Sequence, residues 1–77
     1  MNKIILRFNI IKTNEVFEVI FDQRLTFTEN FFLLSHIYPI RFIDDNYIID
    51  PDKKIALKKD VPIKSFNFPN FMTLYLF

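Results

Sequence analysis

The sequence predicts a small α+β fold in which one helix packs across one face of a mixed sheet, with the elements in the order ββαβββ. Two observations lead to this prediction. Apolar residues alternate with other residues near both ends of the chain, which is typical of half-buried strands. Between these ends, one segment changes to helical spacing behind a helix-start motif. The length of 77 residues predicts a single domain, 1–77.

The first two strands are expected to form a hairpin. Residues 3–11 (KIILRFNII) and 15–21 (EVFEVIF) both show the period of two that places one face of a strand in the core. Asn14 lies between them and tolerates the left-handed conformation of a tight turn. The side chains expected to face the core are Ile4, Leu6, Phe8, Ile10, Phe17, Val19 and Phe21.

The helix is predicted from its capping residues and its spacing. Thr26 and Glu29 form a capping-box pattern, in which each side chain satisfies the backbone amide of the other. Pro39 disfavours helical geometry at Tyr38, so the helix is expected to end there. The residues at helical spacing behind the cap are Phe27, Phe31, Leu34, Ile37 and Tyr38.

The second half of the chain predicts three more strands. Short strands are expected at 47–49 and 55–57 around a turn at 50–52, followed by a short helical turn at 63–68 and a last strand at 72–77. A right-handed crossover would place the last strand parallel to the first. The first and last strands are the most apolar, as central positions require. This arrangement is the β-grasp.

The composition excludes several classes of function. The chain has no cysteine and no glycine, which excludes thiol nucleophiles, disulfides and Gly-rich phosphate loops. Tight turns are therefore expected to use Asn, Asp or Pro. The net charge of +1 disfavours a nucleic-acid binder. No apolar run or leader indicates membrane insertion or export, so a cytoplasmic location is expected. We expect no enzyme activity and no cofactor.

The polar residues that resemble catalytic or metal-binding groups have simpler interpretations. His36 is the only histidine, and without a nucleophile or a second ligand it is expected to face solvent. The aspartates lack the spacing and the glycine of a calcium loop and are interpreted as turn-forming. These aspartates are Asp44, Asp45, Asp50 and Asp52.

Two surfaces are candidates for contact with a partner. The outward face of the sheet is expected to carry an exposed apolar patch of Ile5, Ile48, Tyr75 and Phe77, because the helix covers only the other face. The alternative is that Phe77 frays at the chain end. The second surface is basic and suits an acidic partner, although protection of a short edge strand is the favoured interpretation. Its residues are Lys53, Lys54, Lys58 and Lys59, with Lys64 nearby.

The segment ALKKDVPIKSFNFPNFMTLYLF resembles the part of ubiquitin that runs from its fourth strand to its last strand, and Thr26-x-x-Glu29 matches the start of that family's helix. The resemblance to ubiquitin-like proteins extends over almost the whole chain. It implies a β-grasp fold and recognition of partners through the sheet. The core residues it implies are Leu57, Ile63, Phe66, Phe68, Leu74 and Leu76.

The chain ends at Phe77 without the Gly-Gly tail of conjugated ubiquitin-like modifiers and sulfur carriers. If the sequence is complete, conjugation and sulfur transfer are not expected. Length, missing tail and a composition typical of an AT-rich genome resemble the YukD/EsaB family. That resemblance implies a cytosolic accessory or regulatory component of bacterial type VII secretion, bound to a secretion component or to itself as a homodimer.

Two alternatives to this function are left open by the residues. One is a small nucleic-acid-binding domain, with Tyr75 and Phe77 stacking on bases and the lysines following the phosphates. The near-zero net charge disfavours it. The other is a ubiquitin-like domain that belongs to a longer protein, against which the presence of Met1 argues weakly.

Overall fold

The structure is a computed structural model that describes residues 2–36 and 47–77. Five strands form one sheet in the order β2-β1-β5-β3-β4. The helices of the described part are α1 (Phe27–Ser35) and a single-turn 3₁₀ helix (Ile63–Phe66). The strands are β1 (Lys3–Ile10), β2 (Glu15–Asp22), β3 (Ile48–Asp50), β4 (Ile55–Ala56) and β5 (Met72–Leu76). The predicted α+β class and element order are confirmed.

The two strands nearest the chain ends lie side by side at the centre of the sheet. β1 and β5 pair in parallel, from Leu6 opposite Met72 to Ile10 opposite Leu76. β2 pairs antiparallel with the other side of β1 over all eight of its residues. The turn between β1 and β2 has Asn14 in the left-handed conformation, at φ 59°. The predicted hairpin and the central position of the first and last strands are both confirmed.

An aromatic cluster fills the space between the sheet and α1. The ring of Phe8, on the central strand β1, lies within 5.3–6.4 Å of the rings of Phe17, Phe21, Phe27 and Phe31. Large rings bury much apolar area per residue, which a short chain without disulfides needs. The buried apolar residues are Ile4, Leu6, Phe8, Val19, Phe21, Phe27, Phe31, Leu34, Ile48, Ile63, Leu74 and Leu76.

The core residues implied by the ubiquitin-like resemblance are found at this cluster. The buried members are Ile63, Leu74 and Leu76. Leu57, Phe66 and Phe68 are partly buried and pack against them.

Helix α1 begins at the predicted capping box. The Thr26 hydroxyl accepts from the Glu29 amide, and the Glu29 carboxylate accepts from the Thr26 amide, both at 3.1 Å. These two bonds satisfy donors that the first helical turn leaves without intrahelical partners. The helix ends at Ser35 with His36 as its C-cap. The predicted end at Tyr38 lies outside the described residues.

The side chain of Asn30 joins α1 to the end of β2. Its Oδ1 atom accepts from the Asp22 amide at 2.8 Å. Its Nδ2 atom donates to the carbonyls of Asp22 and Thr26, at 3.0 and 2.9 Å. Asn30 is only 4% exposed, so these bonds are made away from water, where a lost partner is costly. A buried Asn on a helix is not evident from the sequence pattern.

One predicted facing is wrong, that of Ile48. This side chain was expected on the outward face, but it is fully buried, with 0% exposure. The register explains the error, because Ile48 pairs with the core residue Leu76 and Ile49 pairs with the outward-facing Tyr75. A strand with two adjacent isoleucines has no alternation to indicate its inner face, and a shift of one residue exchanges the faces.

The turns of this glycine-free chain only partly use the expected residues. Asn14 and Asn67 adopt positive φ, as predicted for Asn. Lys54 and Phe71 also do so, at φ 56° and 63°. The Phe71 amide donates to the Ile5 carbonyl at 2.7 Å, so this strained residue positions the chain at the start of β5.

Replacing Asn30 by Ala should lower the free energy of unfolding by about 1–3 kcal/mol, because the partly buried Asp22 amide loses its acceptor. Urea denaturation measures this loss. Hydrogen exchange of the Asp22 amide should also become faster. The exposed Ser35→Ala change serves as the control and should shift stability by less than about 0.5 kcal/mol. Unchanged stability and exchange in Asn30→Ala would contradict the role of these bonds.

Candidate protein-binding surface

The face of the sheet opposite α1, which we call the open face, carries three rows of side chains between the Lys3–Asp22 pair and the Tyr47–Phe77 pair. Cross-strand neighbours point to the same side of a sheet, so the register defines each row. Ile5 and Ile20 form the first row. The second row comprises Glu18, Arg7 and Thr73, and the third comprises Val16, Asn9, Tyr75, Ile49 and Ala56.

Apolar groups concentrate at one end of the open face, around β3 and β5. The backbones of Tyr47 and Phe77 exchange two hydrogen bonds, of 3.1 and 2.9 Å, which extend the β3–β5 pairing by one residue. Tyr47 is 65% exposed and Phe77 is 46% exposed. Ile49 and Tyr75 are partly buried beside them. We call Tyr47, Ile49, Tyr75 and Phe77 the aromatic patch.

The four residues predicted to form one patch do not lie together. Tyr75 and Phe77 belong to the aromatic patch, whereas Ile48 lies in the core. Ile5 is on the open face but four residues along β1 from the Asn9 row, about 13 Å at the rise of a strand.

A charged row separates Ile5 from the aromatic patch. The Arg7 guanidinium donates to Glu18 Oε2 at 3.0 Å. Both side chains are nearly half exposed, at 42% and 47%, so the pair contributes little stability. Its effect is to place polar groups between two apolar areas, which gives the aromatic patch a polar border on the β1–β2 side.

Sequence reasoning missed Tyr47 and Ile49 as members of the open face. Only the pairing of β3 with β5 reveals that these two side chains face outward, because each lies opposite an outward-facing residue near the end of the chain. A three-residue strand does not reveal its partner from its own composition.

The lysine-rich segment surrounds β4, which is an edge strand of two residues. Lys53, Lys54 and Lys58 are exposed, and Lys59 is partly buried. β4 pairs with β3 through Ala56 and Ile49. The segment that carries these lysines therefore flanks β3 on the side away from β5.

The remaining polar candidates have local structural roles. His36 is exposed, as predicted, and its ring packs edge-on against Phe32 with 4.9 Å between centroids. Asp50 accepts from the amides of Asp52 and Lys53, at 2.9 and 3.3 Å, so it forms the predicted turn. Asp44 and Asp45 lie outside the described residues. Within 2–36 and 47–77, no three potential metal ligands lie together.

An ion pair between Asp22 and Arg24 lies at the end of β2. Asp22 accepts from the Arg24 side chain at 2.7 and 3.0 Å and from the Arg24 amide at 2.9 Å. The hydrogen bonds from Arg24, and then its charge, hold the pKa of Asp22 far below its usual range. The same contact raises the pKa of Arg24. The contact between Asp22 and Arg24 stabilises the turn that leads from β2 into α1.

Comparison with known proteins gives a structural likeness only. No protein-family model and no curated protein sequence matches the chain. The structure is similar to the crystal structure of the UBL domain of Plasmodium falciparum Dsk2, with a TM-score of 0.73. The likeness covers 96% of this chain and 95% of that one, at 18% sequence identity. The chain has the ubiquitin-like β-grasp fold. None of the helices described here is long and apolar enough to cross a membrane.

Replacing Asp22 by Asn should destabilise the protein at neutral pH, and the difference from wild type should shrink in acid. The folded pKa lies below the unfolded value of about 3.9, so the stabilisation is present above that value and is lost as pH falls towards the folded pKa. Urea denaturation between neutral pH and about pH 2 measures this difference. In an Arg24→Met background, the pH-dependent effect of Asp22→Asn should be smaller, because, of the hydrogen bonds from residue 24, only that of its backbone amide remains. A difference independent of pH in the wild-type background would contradict the assignment.

Proposed function

We propose that this chain is a non-enzymatic protein-interaction module that binds a partner on the open face of its sheet through the aromatic patch. The observation that carries the proposal is the position of Tyr47, Ile49, Tyr75 and Phe77 on a face that α1 does not cover. Contiguous exposed apolar groups on small domains usually mark contact surfaces. Aromatic residues are enriched at the centres of such surfaces, where their rings bury large areas.

The borders of the aromatic patch support a partner of mixed character. Arg7 and Glu18 lie on one side, and the segment that carries Lys53, Lys54 and Lys58 lies on the other. An apolar centre with a polar rim is the usual anatomy of a specific interface. We propose that the lysines meet acidic groups of the partner. Rim charges mainly affect the association rate and its salt dependence.

In its narrower form, the proposal assigns the chain to the cytosol of a bacterium as an accessory or regulatory component of type VII secretion. The partner would be a component of the secretion machinery or a second copy of the chain. The support is the resemblance of length and composition to the YukD/EsaB family, together with the ubiquitin-like fold. This form names the partner, whereas the broader form names only the surface.

Replacing Ile49 and Tyr75 together by Ser should weaken binding of a protein partner while the domain stays folded. The partly buried Ile49 and Tyr75 lie outside the core cluster, so the melting temperature should fall by only a few degrees. Pull-down and analytical ultracentrifugation measure partner binding and self-association. Ile48→Ala is the matched control for the facing of β3. Truncating this buried neighbour should cost about 2–5 kcal/mol of stability, in contrast to the outward-facing double change. A folded double variant that binds as tightly as wild type would move the contact surface elsewhere.

The narrower form is tested with the membrane ATPase of a type VII secretion system. Tagged wild-type protein should co-purify with the cytosolic part of that ATPase, and the Ile49→Ser, Tyr75→Ser variant should not. Failure of the wild-type protein to capture the ATPase or any other secretion component, together with a monomeric state in analytical ultracentrifugation, would reject the narrower form. The broader form would still stand if the aromatic patch captured a different protein.

A further inference from the structure

The two edges of the sheet are protected to very different degrees. β4 forms one edge with two residues and is flanked by lysines, which are features that discourage pairing with another strand. β2 forms the other edge with eight residues, EVFEVIFD, and has neither proline nor lysine. Its pairing with β1 runs without interruption from Ile10–Glu15 to Lys3–Asp22. A long regular edge of this kind can accept a further strand.

The hydrogen-bond pattern identifies which residues of β2 face outward. Gln23 donates to the Asn2 carbonyl at 2.6 Å, just beyond the Lys3–Asp22 pair. Antiparallel pairs that exchange bonds recur at every second residue. The odd-numbered residues of β2 therefore bond to β1. The residues whose backbone amides and carbonyls point away from the sheet are Val16, Glu18, Ile20 and Asp22.

Asn30 already occupies the last of these four positions. Its carboxamide accepts from the Asp22 amide and donates to the Asp22 carbonyl, as the peptide group of a neighbouring strand would do. The free part of the edge is therefore limited to Val16, Glu18 and Ile20. In the described part of the chain, no hydrogen bond reaches the outward backbone groups of these three residues.

The side chains of the free edge indicate the chemistry of its ligand. Val16 and Ile20 are 57% and 63% exposed and flank Glu18 on the open face. Glu18 contacts Arg7 through Oε2, which leaves Oε1 to accept from an incoming donor. β2 contains three acidic residues and no basic one. We propose that this edge binds an extended segment of another protein, with apolar side chains opposite Val16 and Ile20 and a basic side chain opposite Glu18.

A second copy of the chain fits this edge less well. Symmetric antiparallel pairing that uses all three free residues of both copies must place Val16 opposite Ile20 and Glu18 opposite Glu18. Like charges directly opposite one another on a sheet are destabilising. Shifting the register away from this position loses hydrogen-bonding residues, because Asp22 is occupied by Asn30. A foreign strand with a central Lys or Arg has no such conflict.

The site differs from the aromatic patch in both position and mode. It uses backbone groups at the edge of β2, whereas the aromatic patch uses side chains over β3 and β5. The two proposals can therefore fail separately. Binding at the β2 edge should survive the Ile49→Ser, Tyr75→Ser change that removes the aromatic patch.

The test uses the full chain and the peptide acetyl-TVTKTVT-amide, followed by amide chemical shifts and hydrogen exchange. In the free protein, the amides of Val16, Glu18 and Ile20 should exchange faster than those of Phe17 and Val19. Saturating peptide should slow exchange at these three residues and shift their resonances. In antiparallel pairing with the peptide lysine opposite Glu18, the lysine backbone nitrogen faces the edge, and methylating it should weaken binding about tenfold. Methylating a threonine nitrogen, which faces away, should change affinity by less than about twofold.

A protein variant gives the matching control from the other side. Ile20→Pro removes an outward amide without breaking the β1 ladder and should weaken peptide binding about tenfold. Ile20→Thr keeps that amide and loses only apolar contact, so it should weaken peptide binding less than Ile20→Pro does. The peptide acetyl-TVTETVT-amide should bind more weakly than the lysine peptide.

Three results would overturn the proposal. The first is the absence of saturable shifts in β2, and the second is equal binding of the two methylated peptides. The third is exchange of the edge amides that becomes slower as the protein concentration is raised without peptide. This result would make a second copy of the chain the occupant of the edge.

Discussion

The parallel pairing of β1 with β5 joins the two ends of the chain, and the rest of the sheet extends outward from it. Leu6 lies opposite Met72 and Ile10 opposite Leu76, so the contact closes a loop that contains most of the sequence. Such closure costs chain entropy before it gains contacts. The aromatic cluster around Phe8 lies directly on this pair and offsets that cost by burying large rings.

The same pairing decides what the outer surface can do. Because β1 and β5 are in register, alternation along each strand sends Phe8 and Leu74 to the core and Asn9 and Tyr75 to the open face. β3 then takes its facing from β5, not from its own sequence. A slip of one residue in this central pair would bury the present outer face and expose the core.

The elements that the sequence predicted well are those with enough residues to show a period. The two strands of the hairpin, the capped helix and the last strand each repeat their pattern several times, and each was found close to its expected position. Two of the four residues in the predicted patch lie together in the structure, Tyr75 and Phe77. The facing of Ile48 was predicted wrongly because β3 has only three residues and two of them are identical. The structural role of Asn30 could not be anticipated, because it depends on a hydrogen bond with the end of β2.

The absence of glycine has a consequence for the denatured ensemble. Within residues 2–36 and 47–77, four residues hold positive φ without glycine, among them the bulky Phe71, and such a conformation costs a typical residue about 1–2 kcal/mol. A chain of average composition would contain about five glycines in this length. Each glycine avoided reduces the backbone freedom lost on folding, by about 0.4–1 kcal/mol. The free-energy cost of positive φ in the turns and the free energy saved by a less flexible unfolded chain are thus of similar size. A domain without glycine can therefore fold without a large net penalty.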